Sequence, residues 1–94
     1  MLVERLFKVV NEVGIHARPA AALVHIATKY KSTVTLLYGA KAVNLKSLMS
    51  VMALGIAHGT EFVLVAEGVD ALDAIDALEE ALLKDGLVED IFYK

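Results

Sequence analysis

Between Val9 and Ala20 the chain changes its hydrophobic period, and that change limits the folds open to it. Leu2 to Val10 reads as a half-buried strand, with Val3, Phe7 and Val9 on one side and Glu4, Leu6 and Lys8 on the other. From Ala20 onward Leu23, Val24, Ala27 and Tyr30 recur at helical spacing, which predicts a helix from about Ala17 to Tyr30. Pro19 suits its first turn, because its fixed φ is already helical and its missing N–H would have had no intrahelical partner. His16 then lies just outside the helix, faced by the positive end of the dipole and by unpaired N–H groups. Arg18 adds a permanent positive charge. The nucleophilic form of an imidazole is the neutral ring. Such a ring beside several anion-holding groups suits a nucleophile that takes up a phosphoryl group, since the product is a dianion.

The remaining patterns complete one domain. Thr33 to Tyr38 is rich in β-branched residues and sets Val34, Leu36 and Tyr38 on one face. Gly39-Ala40 suits a two-residue turn, and Ala42 to Leu45 closes a hairpin. Ser47 can cap a brief helix carrying Leu48, Met49, Val51 and Met52 and ending before Gly55. Thr60 to Glu67 alternates cleanly, with Phe62, Leu64 and Ala66 facing one way and Glu61, Val63, Val65 and Glu67 the other. Asp70 and Asp73 mark the start of a last helix, Leu72, Ile75, Leu78 and Leu82 its buried stripe, and Lys84 and Gly86 its end. The order β-α-β-β-α-β-α predicts an α+β sandwich, an antiparallel sheet covered by helices on one face. Residues 1–88 make the domain, and 89–94 are expected to be a loosely held tail.

Composition excludes several function classes. The longest run free of Lys, Arg, Asp and Glu, Ser47 to Thr60, is too short to span a bilayer, and Glu4, Arg5 and Lys8 break up any signal-peptide core. With no cysteine there is no disulfide framework, which fits the cytoplasm. The net charge of −3 is unevenly spread. Residues 1–66 hold seven Lys and Arg against three acids, whereas residues 67–94 hold two against nine. His16, Arg18, Lys46 and Ser47 all fall in the basic part, so the face they share is expected to meet acidic protein surfaces. The basic residues are scattered and no aromatic is interleaved with them, so nucleic acid is not an expected partner. His25 and His58 have no second ligand at metal spacing and read as structural or surface residues; no metal or cofactor is expected.

Two motifs together carry a resemblance. Gly14-Ile15-His16-Ala17-Arg18-Pro19-Ala20, followed by Val43-Asn44-Leu45-Lys46-Ser47-Leu48-Met49 and Leu54-Gly55-Ile56, is similar to HPr, the histidine phosphocarrier family of the bacterial phosphoenolpyruvate:sugar phosphotransferase system. The resemblance covers roughly residues 3 to 88. It implies four strands and three helices, and a carrier with a phosphohistidine intermediate rather than a free-standing enzyme. On it, enzyme I passes a phosphoryl group to His16, Arg18 and the first helical N–H groups, that of Ala17 among them, hold it, and an enzyme IIA domain receives it. Ser47 resembles the serine modified by HPr kinase/phosphorylase, which adds that enzyme and a transcriptional regulator to the implied partners. Two positions depart from the family: Val13, where many members have a small polar residue, and Ser50, where Gram-positive relatives usually have Gly.

A histidine near a helix start is more often a plain capping or surface residue, and from Gly14 to Ala20 alone that reading leads; the second motif reverses it. For Leu48, Met49 and Met52 two readings stand level: core, or an exposed docking patch beside Ser47 and Lys46. Two other functions stay open, a regulatory relative with non-sugar partners and a non-catalytic interaction module. A monomer is expected, with no membrane attachment.

Overall fold

The structure of the protein is a computed structural model that describes residues 1–90, Asp90 by its backbone alone. In chain order the elements are β1 (Leu2–Val9), α1 (Ala17–Ala27), β2 (Thr33–Tyr38), β3 (Lys41–Asn44), α2 (Leu48–Leu54), β4 (Glu61–Glu67), α3 (Ala71–Lys84) and β5 (Val88–Asp90). The strands form one antiparallel sheet in the order β3-β2-β4-β1-β5.

The alternation in β4 decides how the sheet is faced. Phe62, Leu64 and Ala66 are buried while Glu61 and Glu67 are exposed. Cross-strand register carries this facing to the neighbours, pairing Phe7 with Phe62 and Leu36 with Leu64. The rings of Phe7 and Phe62 stack with centroids 5.4 Å apart, close enough for aromatic attraction beyond plain burial. Against this face pack Leu23 and Ala27 of α1, Val51 of α2, and Ala74, Ile75, Leu78 and Leu82 of α3, in one continuous core. The α+β sandwich is as expected from the sequence patterns.

The strand count is not. The sheet has five strands where four were expected, because Val88 and Glu89, with the backbone of Asp90, pair with Val9, Lys8 and Phe7 of β1. Without β5 that side of β1 would be an open edge with unpaired backbone groups, and closing it satisfies them. Part of the expected tail is therefore in the sheet; residues 91–94 lie outside the described residues. Leu72 is a second correction, since it is 44% exposed. Ala71, Ala74, Ile75, Leu78 and Leu82 form the buried stripe of α3, and Leu72 sits about 100° around the helix from Ala71, toward water.

The hairpin turn is built as its residues suggest. Gly39 has φ +60° while Ala40 keeps negative φ, the pattern of a turn whose first central residue alone must be left-handed. Arg5, on the helix-covered side of β1, donates to Asp76 at 2.8 Å and to Glu79, fastening α3 to the sheet.

Asp70 joins two loops. It stands at the N-cap of α3 but leaves that helix uncapped. Its carboxylate instead accepts from the Ser32 hydroxyl at 2.5 Å and from the Lys31 and Ser32 N–H groups at 2.9 Å each. The Ser32 hydroxyl first, then the Lys31 N–H, pull Asp70 down to about 2 from the ordinary value of 3.8. A depressed carboxylate stabilises the fold above its unfolded value and loses that contribution as pH falls through the folded one. Thermal melts should therefore show a loss of stability between about pH 4 and pH 2 that is flattened in Asp70→Asn. An acid limb of the same slope in both proteins would remove Asp70 from the account.

Candidate functional site

The segment between β1 and α1 is shaped by Gly14. Its φ is +72°, and a Cβ there would lie 2.3 Å from the Ile56 carbonyl oxygen, so no other residue fits without moving backbone. The close approach lets the Ile15 N–H donate to that same carbonyl at 3.0 Å. The Ile15 side chain is buried, and the chain turns outward at the next residue. His16 is the N-cap of α1, with extended backbone at φ −95° and ψ −173°. Its carbonyl accepts the Ala20 N–H at 3.0 Å, the first bond of the helix.

Three helical positions follow before that bond, and Pro19 at the third has no N–H. Among the described residues the N–H groups of Ala17 and Arg18 are thus the unpaired donors at the positive end of α1. The His16 imidazole does not cap the helix; it is exposed and has no hydrogen-bond partner among the described residues. Arg18 is likewise exposed, and its guanidinium is in no ion pair or hydrogen bond among them. An unengaged nucleophile, an unengaged cation and two unengaged donors therefore converge on one helix end. That is a setting for an anion formed on the ring.

His16 and Arg18 line a shallow cleft of about 320 Å³ together with Pro19, Ala22, Asp85 and Leu87. Asp85 was not among the sequence-predicted site residues, and nothing near it in the sequence signals this placement. It closes α3 as C-cap, and the fold brings that end of α3 beside the start of α1. It places one carboxylate in the lining of a cleft that otherwise carries the Arg18 cation and the His16 ring. A larger concavity of about 740 Å³ lies along α3, lined by Tyr30, Asp73, Asp76 and Glu80 among others. Its lining includes no basic side chain, so it would repel the same anion.

Ser47 is the N-cap of α2. Its Oγ accepts the Ser50 N–H at 3.3 Å and its hydroxyl donates to the Ser50 Oγ at 2.9 Å. The apolar residues after it do not enter the core: Met49 is 84% exposed, Leu48 and Met52 just under two-fifths, and only Val51 of α2 is buried. The core reading of Leu48, Met49 and Met52 therefore does not hold: all three are exposed. Lys46 points elsewhere, its ammonium donating to the Tyr30 carbonyl at 2.8 Å just beyond α1. Val13 is 70% exposed and has no polar group to offer the ring. His25 lies exposed on α1, and His58 Nδ1 contacts the Asn11 carbonyl at 3.0 Å. Among the described residues no cluster of His, Cys, Asp and Glu is placed to hold a metal, and no helix is long and apolar enough to cross a membrane.

The role of Arg18 is open to a direct measurement. Arg18→Ala should slow phosphoryl transfer to His16 about tenfold or more, roughly 1.4 kcal/mol of lost charge-assisted stabilisation. Thermal stability should barely move, because the guanidinium is exposed and in no ion pair or hydrogen bond among the described residues. Unaltered transfer kinetics would show that the helix N–H groups suffice.

Comparison with known proteins points the same way. Residues 3–84 match the family described as the PTS HPr component phosphorylation site. The histidine-containing phosphocarrier protein of Mycoplasma is 38% identical, with a TM-score of 0.90 over 93% of this chain and 99% of that one. An HPr from Thermoanaerobacter tengcongensis is 39% identical, with a TM-score of 0.82 over 89% of this chain and 93% of that one. The Bacillus subtilis catabolite repression protein Crh, solved as a dimer with a swapping domain, is 38% identical with a TM-score of 0.70, over 85% of this chain and 92% of that one. With a family match over most of its length and its fold and histidine-bearing helix end in place, the chain belongs to the HPr family of the phosphotransferase system.

Proposed function

We propose that the protein is a phosphocarrier that accepts a phosphoryl group on His16 from enzyme I and gives it to an enzyme IIA domain of a sugar transporter. The observation that carries this reading is the unengaged His16 ring beside the unengaged Arg18 and the free N–H groups of Ala17 and Arg18. In the transfer, the lone pair of the neutral ring nitrogen, Nδ1 on the family pattern, attacks phosphorus. The bond from phosphorus to the donor histidine breaks, and that ring leaves with the electron pair. The proton on the other nitrogen of His16 stays in place. Phosphoryl transfer needs positioning and charge stabilisation more than covalent help. The helix end and Arg18 supply part of both, and the partner enzymes supply the rest.

Ser47 is proposed as a regulatory site for an HPr kinase/phosphorylase, with a transcriptional regulator as reader of the modified form. The exposed Leu48, Met49 and Met52 form the proposed docking surface; Lys46 precedes Ser47 in the chain, but its ammonium is held away from the patch by the Tyr30 carbonyl. On this reading the protein works as a cytoplasmic monomer, its His16 face left free for successive partners. A regulatory relative with non-sugar partners would use His16 in the same way, and only the identity of the acceptor protein separates that reading from the sugar carrier.

The test is incubation with enzyme I and labelled phosphoenolpyruvate. Label that is lost in acid and kept in base, as expected of a phosphohistidine, supports the carrier reading. No label, or label stable to acid, would replace it with the interaction-module reading.

A further inference from the structure

The histidine-bearing segment is held by a side chain that plays no part in the chemistry above. Asn11 closes a four-residue turn: its carbonyl accepts the Gly14 N–H at 3.3 Å, and its side-chain Nδ2 donates back to the Gly14 carbonyl at 2.8 Å. The side-chain bond is the shorter of the two. Since the Ile15 N–H donates to the Ile56 carbonyl at 3.0 Å, the peptide group between Gly14 and Ile15 has both polar ends fixed. A peptide held at both ends cannot rotate about its flanking bonds without breaking one of them. His16 is the next residue, and its own side chain anchors nothing. The backbone that leads into His16 therefore starts from a fixed peptide plane.

Two further contacts bear on Asn11. Its carbonyl also faces His58 Nδ1 at 3.0 Å, from the loop before β4, and a carbonyl there requires the hydrogen on that nitrogen. Its Oδ1 is buried and, among the described residues, unpartnered. Turning the amide over would not help, since Oδ1 would then oppose the Gly14 carbonyl oxygen. A buried acceptor left unpaired opposes folding, so the amide is held at this position by what its other end does. That is the bond to Gly14.

We propose that Asn11 is a positioning residue for phosphoryl transfer, aiming the His16 ring through the Gly14–Ile15 peptide. The inference rests on the carrier reading. Asn11 touches no phosphoryl group and acts on the near-attack geometry alone, in which small displacements carry large rate penalties.

The test compares the wild type with Asn11→Asp, the isosteric change that replaces the donor by an acceptor, and Asn11→Ala, which removes both. Steady-state phosphorylation by enzyme I is followed well below each variant's unfolding midpoint. A positioning role predicts that kcat falls roughly fivefold or more in both variants while KM stays within about twofold, because the docking surface is untouched. A merely structural role would lower the unfolding midpoint and leave kcat at the wild-type value, and that result overturns the proposal. So does a rise in KM with unchanged kcat. If the wild type itself takes no label, the carrier reading fails and this proposal goes with it; a labelled wild type with unaffected variants rejects the role of Asn11 alone. Should Asn11→Asp not fold, Asn11→Ala gives the same reading.

Discussion

Replacing His16 by alanine is expected to abolish phosphoryl acceptance from enzyme I while the protein keeps its fold. The two halves of that expectation come from separate observations. Acceptance fails because no other histidine shares the setting: His25 lies further along α1, away from its free N–H groups, and His58 turns its Nδ1 to the Asn11 carbonyl. The fold persists because the His16 ring is exposed, forms no cap bond and buries nothing. A surface change of that kind moves stability by about 0.5 kcal/mol or less. The backbone carbonyl of residue 16, which begins the helix, is unaffected by the substitution. Labelling of wild type and variant is compared alongside circular dichroism melts. Equal labelling would remove His16 from the reaction, whereas an unfolded variant would show that the ring does structural work not visible in its contacts.

The second large effect is expected at Ser47. Ser47→Asp should raise the KM for phosphorylation by enzyme I about tenfold or more, equivalent to roughly 1.4 kcal/mol of binding, with kcat little changed. Ser47 caps α2 by accepting the Ser50 N–H, and an aspartate can accept the same bond, so the helix start is kept. What changes is the surface. A negative charge would stand directly before the exposed Leu48 and Met49, where a partner must strip water from it on docking. If the partner surface is acidic, as the basic balance of residues 1–66 suggests, the new charge also meets its like. Rate against carrier concentration at low salt separates the possibilities. Wild-type kinetics there would reject the electrostatic account, and a fall in kcat alone would place the effect at His16.

Much of the fold was legible because it depended on local periodicity. The alternation of Thr60 to Glu67 becomes β4, with Phe62, Leu64 and Ala66 buried as read. Gly39, Ser47 and Gly55 occupy the turn, N-cap and left-handed C-cap that their chemistry suggests. The helix end at His16 was legible because Pro19 restricts where a helix can begin. β5 was not legible, since three residues carry no period and their pairing with β1 is decided by an edge far away in sequence. Leu72 was misplaced for a related reason: alanines at 71 and 74 carry the buried stripe, and small residues weaken the hydrophobic signal that would reveal its true angle. Around the site, Asp85 is brought to Arg18 only by the packing of α3 beside α1. Asn11 did carry a signal, as an asparagine three residues before a glycine is a common way to close a turn. Its hold on the Gly14 carbonyl depends on the three-dimensional course of the turn, which no residue pattern encodes.

A carrier must release what it accepts. The measurement that tests the central claim is therefore a chase: the protein is labelled through enzyme I, freed of it and of phosphoenolpyruvate, and mixed with an enzyme IIA domain. If His16 carries a transferable phosphoryl group beside Arg18, the label leaves this chain and appears on the enzyme IIA domain, and the Arg18→Ala protein passes it at an altered rate. Label that enters the chain but stays there, or is lost only to water with every enzyme IIA domain offered, would contradict the phosphocarrier reading.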